Sequence, residues 1–145
     1  MEKTTKKKLL SLILCMMLIV AMAFCTTACG GKKTDEIPSE ALNNANVMGE
    51  GATEFIFAVT DTDGEVTTYE IHTDKKTVGE ALLELEIIDG EVGDYGLYVK
   101  TVNGVTLDYD KDGKYWAFYI NGEYAQTGVD STDVEEGATY SFKAE

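Results

Sequence analysis

The sequence predicts an α+β fold: a mostly antiparallel sheet with one short helix packed across it. Two runs of alternating apolar residues flank the polar stretch 61–64, and this pattern is typical of a β-hairpin. One helical pattern follows the hairpin, and two Asn-Gly pairs then mark tight turns between further strand patterns. A hairpin, a helix and more strands, in that order, favour a helix lying on one face of a sheet.

The hairpin and the helix supply the predicted core. Alternation places Phe55, Phe57 and Val59 on one face of the first strand, and Tyr69 and Ile71 on the matching face of the second. The helix is predicted to span about 78–86, since a Thr three residues before a Glu forms a capping box at its start. The residues of this helical pattern are Thr77 and Glu80 for the cap and Val78, Ala81, Leu82 and Leu85 for the apolar face.

The second half of the domain is predicted to be strands joined by turns. Three glycines at 90, 93 and 96 indicate an irregular connection after the helix. Strand patterns then cover 97–102, 114–120 and 138–143. The first of these strands ends at Asn103-Gly104 and the second at Asn121-Gly122, and both pairs favour two-residue hairpin turns.

Residues 1–28 have the features of an export signal. Four Lys precede sixteen nearly continuous apolar residues (9–24), a stretch too short for a membrane span of about 20. The following residues, Thr26-Thr27-Ala28-Cys29-Gly30, resemble the lipobox of bacterial lipoproteins. That resemblance implies cleavage before Cys29, lipid attachment to Cys29 and a position at the outer face of the cell membrane. The alternative is an uncleaved N-terminal anchor, which would also leave the domain outside the cytoplasm.

The remaining chain divides into a linker and one domain. Residues 29–50 are polar, lack sustained periodicity and predict a flexible, lipid-anchored linker, whereas 51–145 form the domain. The whole chain has a net charge of -14 and no Arg, and residues 29–145 alone carry -17. This charge disfavours nucleic acid and electrostatic docking on anionic membranes. Since Cys29 would be the only cysteine after cleavage, the domain has neither a disulfide nor a thiol nucleophile.

Four segments of residues 52–145 are similar to a known family. TVGEALLE, KTVNGV, YWAFYINGEYAQTG and VEEGATYSF resemble the transcobalamin-like C-terminal domain, the small domain of cobalamin carriers. The resemblance implies a β-grasp-like fold that binds a small soluble ligand, with a corrinoid such as cobalamin as a candidate. In those carriers a large helical domain supplies much of the pocket, and this chain has no room for such a domain.

The strongest candidate binding residues lie around the Asn121-Gly122 turn. Aromatic surfaces and amide groups together suit a planar macrocycle or a sugar. The resemblance places this hairpin on the ligand side. The alternative for Trp116 and Tyr124 is a core position, because Trp116 alternates with other apolar residues of its strand. The candidates are Trp116, Tyr119, Asn121, Tyr124 and Gln126.

A second pattern, Asp108, Asp110 and Asp112 followed by Gly113, matches the opening of an EF-hand calcium loop. Carboxylate oxygens at alternating positions suit calcium. The twelfth position of such a loop should hold a bidentate Glu and is Tyr119 instead, and strand patterns replace the flanking helices. An acidic turn is therefore the alternative to this calcium candidate, and no other metal site is expected.

Catalysis is not expected. His72, the only histidine, alternates with Thr68 and Glu70 and is predicted to be an exposed strand residue. No nucleotide-binding glycine loop and no coherent catalytic set is present, so the sequence predicts no enzyme and no cofactor beyond a bound corrinoid. We expect a lipoprotein that holds a small molecule. The alternative is a surface display or adhesion module that binds another protein.

Overall fold

The computed structural model describes residues 37–145, which form part of the compact unit Thr34–Glu145. The predicted export signal and Cys29 lie outside the described residues. No helix within 37–145 is long and apolar enough to cross a membrane.

The described chain contains short helices and nine strands. The helices are α1 (Ser39–Asn43), α2 (Val78–Glu84), α3 (Tyr109–Asp112) and a 3-10 helix (Val129–Ser131). The strands are β1 (Asn46–Gly49), β2 (Thr53–Thr60), β3 (Val66–Thr73), β4 (Ile88–Gly93), β5 (Gly96–Val102), β6 (Val105–Thr106), β7 (Trp116–Ile120), β8 (Glu123–Tyr124) and β9 (Thr139–Ala144).

Six strands form the main sheet in the order β1-β3-β2-β9-β7-β8. Strand β2 pairs antiparallel with β3, and β7 pairs antiparallel with both β8 and β9. The β2–β9 and β1–β3 pairs are parallel. The last strand therefore lies beside the first strand of the hairpin, in the manner of a β-grasp sheet. The predicted α+β class is confirmed. Besides the predicted helix α2, the structure contains the short helices α1 and α3 and a 3-10 helix.

The core lies between one face of the main sheet and helix α2. The hairpin residues predicted to face inward are buried, with Phe57 and Ile71 at 0% exposure. Helix α2 adds Val78, Ala81 and Leu82 to the same apolar cluster. Its capping box is confirmed: Thr77 Oγ1 accepts a hydrogen bond from the backbone N–H of Glu80, whose carboxylate accepts one from the N–H of Thr77.

A second sheet, in the order β4-β5-β6, corrects the prediction of an irregular connection at 90–96. Strands β4 and β5 form an antiparallel hairpin with a bulge between Asp89 and Gly90. A Cβ at Gly90 would lie 2.1 Å from the carbonyl oxygen of Tyr98, so the glycine permits close contact of two backbones. The three glycines that predicted an irregular connection therefore lie within an antiparallel hairpin that contains a bulge.

The structure also differs from the expectation of a flexible linker up to residue 50. Helix α1 and strand β1 occupy most of 39–49, and β1 extends the main sheet at the edge of β3. Only Met48 of β1 is half-buried. An edge strand can be held by backbone hydrogen bonds without an apolar face, so it leaves little periodicity in the sequence.

Candidate functional site

The β7–β8 hairpin is shaped by its Asn-Gly turn. Asn121 and Gly122 have φ values of 49° and 78°, the left-handed conformations that such a turn requires. Asn121 Oδ1 accepts a hydrogen bond of 2.9 Å from the backbone N–H of Thr139. The side-chain oxygen of this predicted ligand-binding residue therefore joins the turn to β9.

Trp116 belongs to the apolar core and also lines a surface groove. Its side chain is 6% exposed, and its indole Nε1 donates a hydrogen bond of 3.1 Å to the carbonyl of Val105. This agrees with the core position that its alternation predicts. Since the indole N–H already has a backbone partner, Trp116 can offer a ligand only apolar contact through the small part of its surface that is exposed.

We define the aromatic groove as the depression between β5 and the chain from Tyr124 to Val129. Its volume is about 330 Å³, within the range of small-ligand sites. Apolar and aromatic side chains dominate its surface. Its lining residues are Leu97, Tyr98, Val99, Tyr115, Trp116, Phe118, Tyr124, Ala125, Thr127, Gly128, Val129 and Phe142.

A second depression, the recess, is lined by Ile120, Asn121, Glu123 and residues 124–127. It has a volume of about 370 Å³ and shares Tyr124, Ala125 and Thr127 with the aromatic groove. The predicted residues Asn121 and Gln126 line this recess and not the groove. Gln126 is exposed. A ligand spanning both depressions would therefore cross the segment that begins at Tyr124.

Tyr119 lines neither depression. It contributes to a separate hollow of about 210 Å³, together with Ile37 and Pro38, and its hydroxyl donates a hydrogen bond of 2.6 Å to Glu145 Oε1. Its ring contacts that of Tyr124 edge to face at 5.5 Å. The five predicted residues thus do not surround one cavity. Trp116 lines the groove, Asn121 and Gln126 line the recess, Tyr124 lines both, and Tyr119 contacts Tyr124.

Sequence reasoning predicted Tyr124 but missed two other tyrosines that line the groove, Tyr98 and Tyr115. Tyr98 on β5 is 48% exposed and Tyr124 is 53% exposed. A hydrogen bond with Tyr124, together with burial, raises the pKa of Tyr115, so this hydroxyl stays protonated. The only sequence signal for Tyr98 was its alternation with the more buried neighbours Leu97 and Val99.

The aspartates of the calcium candidate lie around helix α3. Asp108 Oδ1 accepts a hydrogen bond from the backbone N–H of Asp110, and Asp112 Oδ2 accepts one from that of Asp108. These carboxylates close a helical turn that ends at Gly113, with φ 64°. Their geometry favours the alternative of an acidic turn.

A different group of potential ligands lies on the β2–β3 hairpin. Within residues 37–145, Glu54, Glu70 and His72 are the one set of three His, Cys, Asp or Glu residues whose ligand atoms all lie within 4.8 Å of one another. His72 and Glu70 are in direct contact, 2.9 Å between Nε2 and Oε1. The sequence placed His72 and Glu70 on the same face of their strand, but it did not predict that Glu54 lies close to them.

Comparisons with known proteins place the chain in a family. Residues 75–145 match the family model described as "Domain of unknown function (DUF4430)". A candidate metal-binding protein from Ruminococcus gnavus, known from a crystal structure, is 31% identical in sequence to this chain, and the two folds match with a TM-score of 0.62. The match covers 65% of this chain and 97% of that protein's chain. At this identity and coverage, the chain belongs to the same family as that protein.

A second solved structure relates the fold to the small domain expected from the sequence. Haptocorrin in complex with Cbi matches 71% of this chain at 15% identity, with a TM-score of 0.55. The match spans 27% of haptocorrin, and at this identity it shows a shared fold alone. The transcobalamin-like fold is thereby confirmed. No curated protein matches the chain.

Proposed function

We propose that this domain binds a small soluble ligand in the aromatic groove and holds it without catalysis. The observation that carries the proposal is the groove itself: about 330 Å³, bordered by the partly exposed rings of Tyr98 and Tyr124. Flat apolar surface with a few hydroxyl groups binds planar or ring-shaped molecules by contact and limited hydrogen bonding.

A corrinoid is the ligand class that we propose first. Haptocorrin, which shares the fold, is described in complex with Cbi. The chain corresponds to 27% of haptocorrin, so binding of a corrinoid by this domain is a proposal that titration has to test. A sugar is the second class, since its apolar ring face also packs on tyrosine.

We propose further that the domain works outside the cytoplasm as a lipoprotein anchored through Cys29. The supporting observations are those of the sequence: four Lys, a short apolar stretch and small residues before Cys29. Cell fractionation of the wild type and of Cys29→Ser tests this. The wild type should remain with the membrane and the variant should lose the lipid. Equal lipid labelling of both would exclude Cys29 as the attachment site.

Titration of the full chain with cobinamide, cobalamin and a set of sugars tests the groove. We expect Tyr98→Ala and Tyr124→Ala each to weaken binding by about five-fold or more, since an aromatic contact contributes about 1 kcal/mol. Tyr95→Ala is the matched control, because Tyr95 is fully exposed and does not line the groove. An equal loss of affinity in all three variants would show that the ligand does not bind in the groove.

One observation favours the alternative of a protein-binding surface module. Val92 and Tyr95, at the end of the β4–β5 hairpin, are 84% and 103% exposed. Large apolar side chains in such positions are common in contact surfaces. If this module is the function, no small molecule will bind in the titration, and Tyr95→Ala will weaken attachment to the partner protein.

We also propose that the chain takes up a divalent metal ion. The family relative from Ruminococcus gnavus is described as a candidate metal-binding protein. The aromatic groove is lined by apolar residues, tyrosines, Thr127 and Gly128 and contains no carboxylate or imidazole. Metal uptake would therefore use another part of the surface.

A further inference from the structure

The end of the β2–β3 hairpin brings three potential metal ligands onto one face of the main sheet. Glu54 on β2 lies directly opposite His72 on β3, and Ile56 lies opposite Glu70. Residues two apart on a strand share a face, and directly opposed residues have neighbouring side chains. Glu54, Glu70 and His72 therefore project together, away from the core side occupied by Phe55 and Ile71.

The separation of their ligand atoms suits one metal ion. All three atoms lie within 4.8 Å of one another, and His72 Nε2 is 2.9 Å from Glu70 Oε1. Ligands that surround a tetrahedral zinc ion at about 2.0–2.2 Å lie roughly 3.3 Å apart. Small rotations of the exposed Glu54 side chain could therefore complete the set without movement of the strands.

The charges around this set leave room for a cation. Two carboxylates face one imidazole, and among residues 37–145 no Lys pairs with Glu54 or Glu70; the Lys75 ion pair is with Glu84. The backbone N–H of Glu54 donates to a carboxylate oxygen of Glu136, which adds a further negative charge nearby. Beyond β3, the residue opposite His72 is Gly49, which has no side chain to cover the imidazole.

We infer that Glu54, Glu70 and His72 form a binding site for a divalent transition-metal ion of the zinc class. This inference rests on the proposed metal uptake and names its site. An imidazole nitrogen favours zinc, cobalt, nickel or copper over calcium and magnesium, which prefer oxygen ligands. Three protein ligands leave the fourth tetrahedral position to water. When the ion binds, it replaces the His72–Glu70 hydrogen bond as the link between these side chains.

Calorimetric titration with Zn²⁺ tests the site. We would use the full chain in detergent with Cys15, Cys25 and Cys29 changed to Ser, so that no thiolate competes for the ion. We expect one bound Zn²⁺ per chain and at least ten-fold weaker binding in His72→Gln and Glu54→Gln, because loss of even an outer partner of a zinc ligand costs about 10–100-fold. Millimolar Ca²⁺ should not displace the zinc.

Glu65→Gln is the matched control, since it removes the same charge at the turn end of the same hairpin. It should bind Zn²⁺ as the parent does. Visible absorption of bound Co²⁺ should report a tetrahedral site in the parent and disappear in His72→Gln. Thermal unfolding without metal shows that each variant is folded.

The outcomes distinguish the inferred Glu54–Glu70–His72 site from the broader proposal that the chain takes up a metal ion. Zinc binding that is unchanged in His72→Gln overturns the site and leaves metal uptake standing. An equal loss in Glu65→Gln also overturns the site, because general acidity would then explain the binding. If the parent binds no Zn²⁺, both the inference and the proposed metal uptake are wrong, whereas ligand binding in the aromatic groove is unaffected.

Discussion

The carboxylate of Asp130 accepts a hydrogen bond of 3.1 Å from the backbone N–H of Leu97, between Asp130 Oδ2 and the Leu97 nitrogen. Asp130 lies in the 3-10 helix after the segment 124–128, and Leu97 lies in β5. This bond therefore joins the two sides of the aromatic groove. The second oxygen, Oδ1, is buried and has no hydrogen-bond partner within residues 37–145.

Replacement of Asp130 by Ala should destabilise the domain and widen the groove. We expect the free energy of unfolding to fall by about 1–3 kcal/mol, since a hydrogen bond to a charged group is lost. Denaturant unfolding measures the first effect and titration of the groove ligand the second. Asp63→Ala, in the exposed 61–64 turn, removes the same charge and should change neither. Identical curves for Asp130→Ala and the wild type would contradict the role of this bond.

Gly96 makes room for the Asp130 carboxylate. It has φ 103°, and a Cβ there would lie 2.7 Å from Asp130 Oδ2. In Gly96→Ala the Asp130 carboxylate has to move and would lose its hydrogen bond to Leu97. The positive φ at this position would destabilise the alanine variant by about 1–3 kcal/mol more. Gly64→Ala has a similar φ of 83° and nothing within 4 Å of its Cβ. We expect Gly96→Ala to have the lower midpoint of unfolding; the reverse order would exclude the clash.

Thr77→Ala should remove half of the capping box of α2. Loss of an N-cap side chain costs about 1 kcal/mol, so the midpoint of thermal unfolding should fall by several degrees for a domain of this size. Thr77→Ser retains the hydroxyl oxygen that accepts from the Glu80 N–H and should restore most of the stability. A serine variant as unstable as the alanine variant would show that packing of the methyl group, not capping, was lost.

Asn121 has two structural roles that substitution can separate. Asn121→Gly keeps the left-handed turn but loses the bond to the Thr139 N–H, whereas Asn121→Ala loses that bond and strains the backbone. The alanine variant should be less stable than the glycine variant by about 1 kcal/mol in denaturant unfolding. Equal stabilities would mean that the positive φ costs alanine nothing at this turn.

The sequence predicted the elements whose side chains alternate between core and solvent. Phe55, Phe57, Tyr69 and Ile71 are buried as their alternation indicated, and both Asn-Gly turns lie where the dipeptides placed them. Strand β1 was not predicted, because an edge strand pairs through its backbone and needs no apolar pattern. The bulge at Gly90 was read as a break for a related reason: it depends on contact with Tyr98, eight residues further along the chain.

The candidate site was predictable only in part. Trp116 and Tyr124 were recognised from residue type and resemblance, but Tyr98 reaches the groove from the second sheet, whose position no local pattern specifies. The same limit applies to the possible metal ligands. Spacing placed Glu70 and His72 on one face, whereas their approach to Glu54 depends on the strand register of the hairpin.

Strand β9 is central in the main sheet, and its partner β2 lies early in the chain: Ile56 pairs with Thr139. A ribosome releases the hairpin long before it releases β9. Until then, the inner edge of β2 has no partner, and the sheet cannot close. Such late closure slows folding and leaves a strand edge open to aggregation. Chaperones that act during synthesis would therefore encounter this chain as an incomplete sheet, in which the central position of β9 is still unoccupied.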